Sequence, residues 1–249
     1  MTGTPYTAAP SMLLVTLVYL IAVLSVPIQQ PATLIWLAAY PVVASEITGI
    51  GFGRVFLRSF LILPLIIFIG IFNPFLDKET AFFMGNIPVS KGWVSFISII
   101  LRGLLSFQAV ILLVSNTGFI NLFNSMRIIG FPKVLTTQLL LTYRYITLVA
   151  EEAIIMKRAR IARGYGRSKY PLKDWGRFVG LLLIRSSNRA ASVHRAMKAR
   201  GFSGTLPLGS PMRWTASAWI WLTVWIVIIL ILRLIDFPYF VSHLLPLNI

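Results

Sequence analysis

The 249-residue chain contains no cysteine, which excludes disulfides, thiolate metal sites and cysteine nucleophiles. Acidic residues are scarce as well: seven Asp and Glu stand against 23 Lys and Arg, for a formal net charge of +16. Charged residues of both signs make up only 12% of the chain, about half of the roughly 25% found in a soluble domain. That scarcity argues against a soluble enzyme, and against reading the positive balance as a nucleic-acid surface. The two histidines, His194 and His243, leave little capacity to hold a metal ion.

What is plentiful is apolar: 57% of the residues are hydrophobic. A helix needs about 20 apolar residues to cross the hydrocarbon core. Five stretches qualify as candidate spans, at 11–27, 31–48, 55–76, 93–117 and 214–235. The first two form a hairpin. Arg102 sits inside the fourth, where it either anchors a partner or binds a backbone carbonyl. Arg233 lies near the end of the fifth and can snorkel. The N-terminus shows no basic region and no small-residue cleavage site, so the first span is expected to be retained.

Charge sets the orientation. Residues 118–213 hold 17 of the 23 Lys and Arg and three acids, Glu151, Glu152 and Asp174. The positive-inside rule places that segment in the cytoplasm. Arg54 and Arg58 then fall on the same side, and the nearly balanced loop 77–91 falls outside. The expected class is an all-α membrane protein. Residues 1–117 form a four-span bundle, 118–213 a basic cytoplasmic region, and 214–249 the last span with an outer tail. The apolar stretch 134–150 is read as a helix lying against the bundle, since a sixth crossing would break the charge assignment.

Within the basic region, 118–130 reads as a short interfacial helix ending before Pro132. From Lys133 to Arg163 there is no Gly or Pro, room for a helix of about 45 Å at 1.5 Å per residue. Gly164 stops it. A second long helix opens at Pro171 and runs to Arg200, where Gly201 and Gly204 end it. Its apolar half, Phe178 to Ile184, is followed by Ser186, Ala190, Val193 and Met197 at helical gaps. Small residues in that stripe allow another helix to cross closely.

The two long helices end alike. Arg158-Ala159-Arg160-Ile161-Ala162-Arg163-Gly164-Tyr165 overlies Arg195-Ala196-Met197-Lys198-Ala199-Arg200-Gly201-Phe202, giving R-A-x-x-A-R-G-aromatic twice, 37 residues apart. An Arg in a last turn followed by Gly is an ordinary helix stop, and that explains either copy alone. It does not explain why both copies carry Ala before the Arg and an aromatic after the Gly. An exposed Arg beside a small residue suits a groove on a partner, where the guanidinium forks onto a carboxylate. Two such tips point to a partner with two equivalent grooves, a dimer.

These paired Ala-Arg-Gly motifs resemble those of the transmembrane (T) component of energy-coupling-factor transporters, ABC-type importers. Asn73-Pro74-Phe75 at the end of the third span is similar to that family, as is Tyr143-Arg144-Tyr145 followed by Glu151-Glu152. The run from Arg195 to Gly204 looks closest to its cobalt/nickel branch, the CbiQ type. Vitamin-type T components share both motifs and stay open as an alternative.

The resemblance implies two coupling helices crossing in an X on the cytoplasmic face of the inner (plasma) membrane. Ala162-Arg163-Gly164 and Ala199-Arg200-Gly201 would each enter a groove of one of two ATP-binding subunits. Arg158, Tyr165, Arg195 and Phe202 would support those contacts. Ser186, Ala190, Val193 and Met197 would form the helix crossing. ATP and Mg would be bound by the ATPase subunits, and cobalt or nickel by a separate substrate-binding membrane subunit. No cofactor is expected on this chain, and no nucleic-acid partner. Consistent with a non-catalytic role, no G-x-x-x-x-G-K-[ST] motif is present. An intramembrane enzyme would need a nucleophile–base set or paired carboxylates in the spans; only Glu46 and Glu151/Glu152 come near that depth. A stand-alone carrier would be expected to show inverted repeats or midplane ionisable residues.

Overall fold

Apolar runs become helices, and the prolines inside them decide where those helices break. The computed structural model describes residues 9–28, 31–77, 79–84, 87–163, 172–206 and 214–234. Eleven helices and one two-stranded hairpin make up these described residues. The helices are α1 (Ala9–Ser25), α2 (Pro31–Leu37), α3 (Ala39–Ile47), α4 (Phe52–Ser59), α5 (Leu63–Gly70) and α6 (Asn73–Leu76). After the hairpin β1 (Thr80–Met84) and β2 (Ile87–Ser90) come α7 (Lys91–Thr117), α8 (Phe119–Ile129), α9 (Lys133–Arg163), α10 (Leu172–Ala199) and α11 (Ala216–Leu234). The protein is an all-α membrane protein whose one departure, among the described residues, is that hairpin.

Two helices, α7 and α11, are each long and apolar enough to cross a membrane unaided. The third expected span, 55–76, is not one straight helix. Phe52–Ser59 and Leu63–Phe75 meet at 49°. Pro64 has no N–H to offer the Phe60 carbonyl four residues back. The Leu63 amide donates to that carbonyl instead, at 3.2 Å, which tightens the turn and bends the run. The expected second span is interrupted in the same way at Ala38. Pro41 leaves the Leu37 carbonyl without its helical donor, and the Tyr19 hydroxyl donates to it at 2.9 Å. The apolar helices Ala9–Ser25 and Pro31–Ile47 are shorter than the two unaided spans.

Two compact units divide the chain within α8. One contains α1–α7 and α11, and the other contains α9 and α10. In the first, α7 is the hub, and α1 to α6 all pack against it. Val15, Tyr19, Val23, Leu34, Leu37, Ala109, Leu112, Trp225 and Ile229 are buried at its centre. Tyr19 stacks on Tyr40 with ring centroids 4.3 Å apart, and Tyr40 meets Trp225 edge-on at 4.9 Å. In a lipid solvent this core gains from packing and buried hydrogen bonds rather than from escape from water. The bent α4–α6 run turns Leu57, Leu61, Phe68 and Phe75 outward, 68–85% exposed.

Arg102 lies against the end of α1. Its Nη2 donates to the Val26 carbonyl at 2.6 Å, Arg233 Nη2 donates to Ser25 O at 3.2 Å, and Ser98 Oγ to Ile28 O at 2.6 Å. Carbonyls left open at a helix C-terminus carry the negative end of its dipole, and two guanidinium groups there neutralise it. Of the two roles open to Arg102 in the sequence, the structure shows the carbonyl one.

The segment 77–91, expected to be an outer loop, holds the hairpin. β1 and β2 pair antiparallel around Gly85-Asn86, a dipeptide of the hairpin-turn type that itself lies outside the described residues. Glu79 closes its base on Lys91, Nζ to Oε2 2.6 Å, and this bond holds the exposed carboxyl below its usual range. Asn73-Pro74-Phe75 ends the bent run and rests its backbone on α7. A Cβ on Gly92 would stand 2.5 Å from the Asn73 carbonyl oxygen, so only glycine allows that approach.

Candidate functional site

The site residues lie in the second unit, on α9 and α10. Helix α9 runs 31 residues without interruption to Arg163, and α10 runs 28 residues to Ala199. Their relative direction follows from two contacts. Arg185 Nη1 on α10 donates to Glu152 Oε1 on α9 at 2.6 Å. Past the end of α10, the Leu206 amide reaches Thr137 Oγ1 near the start of α9 at 3.5 Å, and Arg127 Nη1 donates to the Leu206 carbonyl at 3.2 Å. The C-terminal end of α10 therefore lies beside the N-terminal half of α9, and the helices run antiparallel. At 1.5 Å per residue, Arg163 and Arg200 lie about 16 Å and about 22 Å from the Glu152–Arg185 pair, on opposite sides of it.

The second helix end is described in full. Gly201 adopts φ +82°, the left-handed position after a helix end. Its amide donates to the Lys198 carbonyl and the Phe202 amide to the Met197 carbonyl, both at 3.0 Å. Together these bonds make a Schellman motif. Phe202 and Met197 both line one cleft and are half-buried, as the hydrophobic partners of such a motif should be. The aromatic after the glycine thus has a local role in closing the helix, which helix stopping alone was not expected to require.

Ala199, Arg200 and Gly201 are exposed, and so are Ala162 and Arg163 at the end of α9. Among the described residues neither Arg163 nor Arg200 pairs with a carboxylate. Arg158 and Arg195 are also exposed, and Arg195 Nη2 donates to Ser192 Oγ at 3.4 Å. Gly164 and Tyr165 lie outside the described residues. The stripe Ser186, Ala190, Val193 and Met197 faces a cleft of about 1070 Å³ whose other wall is Leu141, Tyr145, Leu148 and Val149 of α9. His194 is exposed at its rim. No three His, Cys, Asp or Glu side chains come together as a metal site among the described residues.

A family model for CbiQ, described as a cobalt transport protein, matches residues 7–212. The chain belongs to the CbiQ family. Cobalt transport protein CbiQ of Salmonella typhimurium is 24% identical over 142 residues, 53% of this chain and 63% of that protein. The uncharacterized protein MJ1089 of Methanocaldococcus jannaschii is 28% identical over 152 residues, 60% of this chain and 57% of its own length. The chain thus spans about three fifths of the curated relatives it matches.

In this CbiQ family member α9 and α10 are joined by contacts between residues far apart in sequence. Glu152 and Arg185 are 33 positions apart, too far for any helical-neighbour pattern to pair them. Arg127 and Thr137, which tie down Leu206, gave no signal. Arg163 and Arg200 therefore stand at opposite ends of an antiparallel helix pair, with the Glu152–Arg185 ion pair between them.

Proposed function

We propose that this chain is the coupling subunit of an energy-coupling-factor importer, passing ATP-driven movement to a separate substrate-binding membrane subunit. The observation that carries the reading is the placement of Arg163 and Arg200: exposed, unpaired with a carboxylate among the described residues, and at opposite ends of one antiparallel helix pair. Each guanidinium enters a groove on one of two ATP-binding subunits and forks onto acidic groups there. Closure of the ATPase dimer moves the grooves relative to each other, and the arms carry that displacement toward the bundle. ATP and Mg belong to those subunits, and this chain performs no catalysis. The basic second unit faces the cytoplasm beneath the inner membrane.

The Salmonella relative is a cobalt transport protein, which favours cobalt as the cargo, with nickel in the same chemical class and the ion bound by the partner membrane subunit. The test is Arg163→Ala with Arg200→Ala in the intact complex. Losing a buried charged contact at an interface costs roughly 2–5 kcal/mol, so each ATPase subunit should be released more readily and uptake should stop while the chain still inserts. Cobalt uptake at the wild-type rate in the double variant would overturn the proposal.

A further inference from the structure

Between Arg200 and Leu206 the chain forms no helix or strand, and Gly201 and Gly204 stand at φ +82° and +93°. So irregular a stretch absorbs a push on the Arg200 tip unless its far end is fixed. That end is fixed at one residue. Leu206 has both polar groups of its backbone held. Its carbonyl accepts from Arg127 Nη1 at 3.2 Å, and its amide donates to Thr137 Oγ1 at 3.5 Å. The Thr137 hydroxyl donates its own hydrogen to the Lys133 carbonyl at 2.8 Å, which leaves a lone pair for the Leu206 amide. The guanidinium bond is the stronger of the two, being shorter and charge-assisted.

Arg127 sits on a firm base. It lies in the last turn of α8. Gly130, at φ +113°, donates its amide to the Arg127 carbonyl at 3.3 Å, and the Phe131 amide reaches the Met126 carbonyl at 3.1 Å. These bonds make a Schellman motif. Pro132 follows, and its carbonyl takes the Thr136 amide at 3.2 Å, so α9 begins at once. Thr136 and Thr137 are buried. The corner between α8 and α9 is thus closed by backbone bonds, with Arg127 on one side of it and Thr137 on the other. Among the described residues no carboxylate pairs with Arg127. Only Gly118 separates α8 from the span α7 in the chain. Closing α10 needs neither the Arg127 nor the Thr137 bond, because the Gly201 and Phe202 amides already do that. Both act beyond the second glycine, where what they set is the path of the chain.

We infer that Arg127 is a positioning residue which, with Thr137, clamps Leu206 to the α8–α9 corner, so that movement of the Arg200 tip passes into α8 instead of being taken up by residues 201–206. The inference rests on the coupling role proposed above. It adds a second route of transmission beside the α9 rod, one that ends on an element joined directly to a membrane span.

The absence of cysteine lets Leu135→Cys with Ala196→Cys carry spin labels in the purified full chain. Neither position lines the cleft between α9 and α10. The distance distribution between the labels should broaden in Arg127→Ala and stay narrow in Arg127→Lys, which keeps a cationic donor. In the reconstituted complex, Arg127→Ala should retain both ATPase subunits and go on hydrolysing ATP, with cobalt uptake per ATP reduced several-fold. Arg127→Lys should recover most of that ratio. If Arg127→Ala does not insert, Thr137→Val, close in shape but without the acceptor, is read in the same way. An unchanged distribution in Arg127→Ala would overturn the clamp. A broadened one with wild-type uptake per ATP would overturn its role in movement. Loss of the ATPase subunits would also sink the inference, by putting Arg127 on the docking surface itself. The coupling role fails separately, on wild-type uptake in Arg163→Ala with Arg200→Ala, and the label distances need no partner subunit.

Discussion

At Gly201 the closure of the helix end beside Arg200 rests on one backbone angle. With φ at +82° a Cβ is strained, although nothing stands within 4 Å of where it would be. The cost of Gly201→Ala is therefore conformational, about 1 kcal/mol, and leaves the Arg200 charge untouched. If the tip acts by geometry, Gly201→Ala should weaken retention of ATPase subunits several-fold, as measured by co-purification in mild detergent. Gly176→Ala is the opposite case on the same helix. Its φ is ordinary and its surroundings are open, so adding a methyl should stabilise α10 by about 1 kcal/mol and leave retention unchanged. Equal effects of the two substitutions would mean that the tip's shape is immaterial. Arg102 makes a similar point in the bundle: a lone guanidinium within a span found its partner on the Val26 carbonyl just past α1, 76 positions away, and no local pattern could have named it.

Among the elements, α9 and α10 are joined by one ion pair. Arg185 and Glu152 are 50% and 26% exposed in their side chains, and a pair so open to solvent adds about 0–1 kcal/mol to stability. Its value lies in fixing where the arms meet. Glu152→Arg alone and Arg185→Glu alone should each broaden the distance distribution between spin labels at Ala162 and Ala199, introduced as cysteines. The double swap should narrow it again. A swap that fails to restore the distribution would show that the pair is incidental. The lengths of these arms were legible in the sequence because their limits are local: Pro132 and Gly164 bound α9, and Gly201 stops α10. Where they cross was not, because one acid had to be chosen among the few facing many cations, and only the fold makes that choice. The same reasoning separates the clean span α7 from the bent α4–α6 run. Hydropathy marks both as apolar, yet Pro64 withdraws one amide from the middle of the second and the chain turns by 49°. The hairpin at 80–90 was signalled by Gly85-Asn86, but its short apolar strands were masked by the charges on either side of them.

For the molecule as a whole, the proposed function requires that a displacement at Arg163 reach the point where the arms meet without being absorbed. Ten residues of unbroken helix separate Arg163 from Glu152, and a straight hydrogen-bonded rod is stiff over that distance. Ile155 lies on this lever and is 57% exposed, so changing it disturbs little packing. Proline at that position would remove one backbone bond and clash with the preceding turn, at about 3 kcal/mol or more, and would kink the arm between tip and pair. Ile155→Pro should leave the chain inserted and both ATPase subunits attached through intact arginine tips, with ATP hydrolysis continuing in the reconstituted complex. Metal uptake per ATP hydrolysed should collapse, because the grooves would bend the arm instead of moving the bundle. Ile155→Ala removes the same side chain and keeps the rod, so its ratio should match the wild type. If Ile155→Pro transported as efficiently as Ile155→Ala, rigidity of α9 would not be what carries the movement, and force would have to reach the membrane unit through α10 alone.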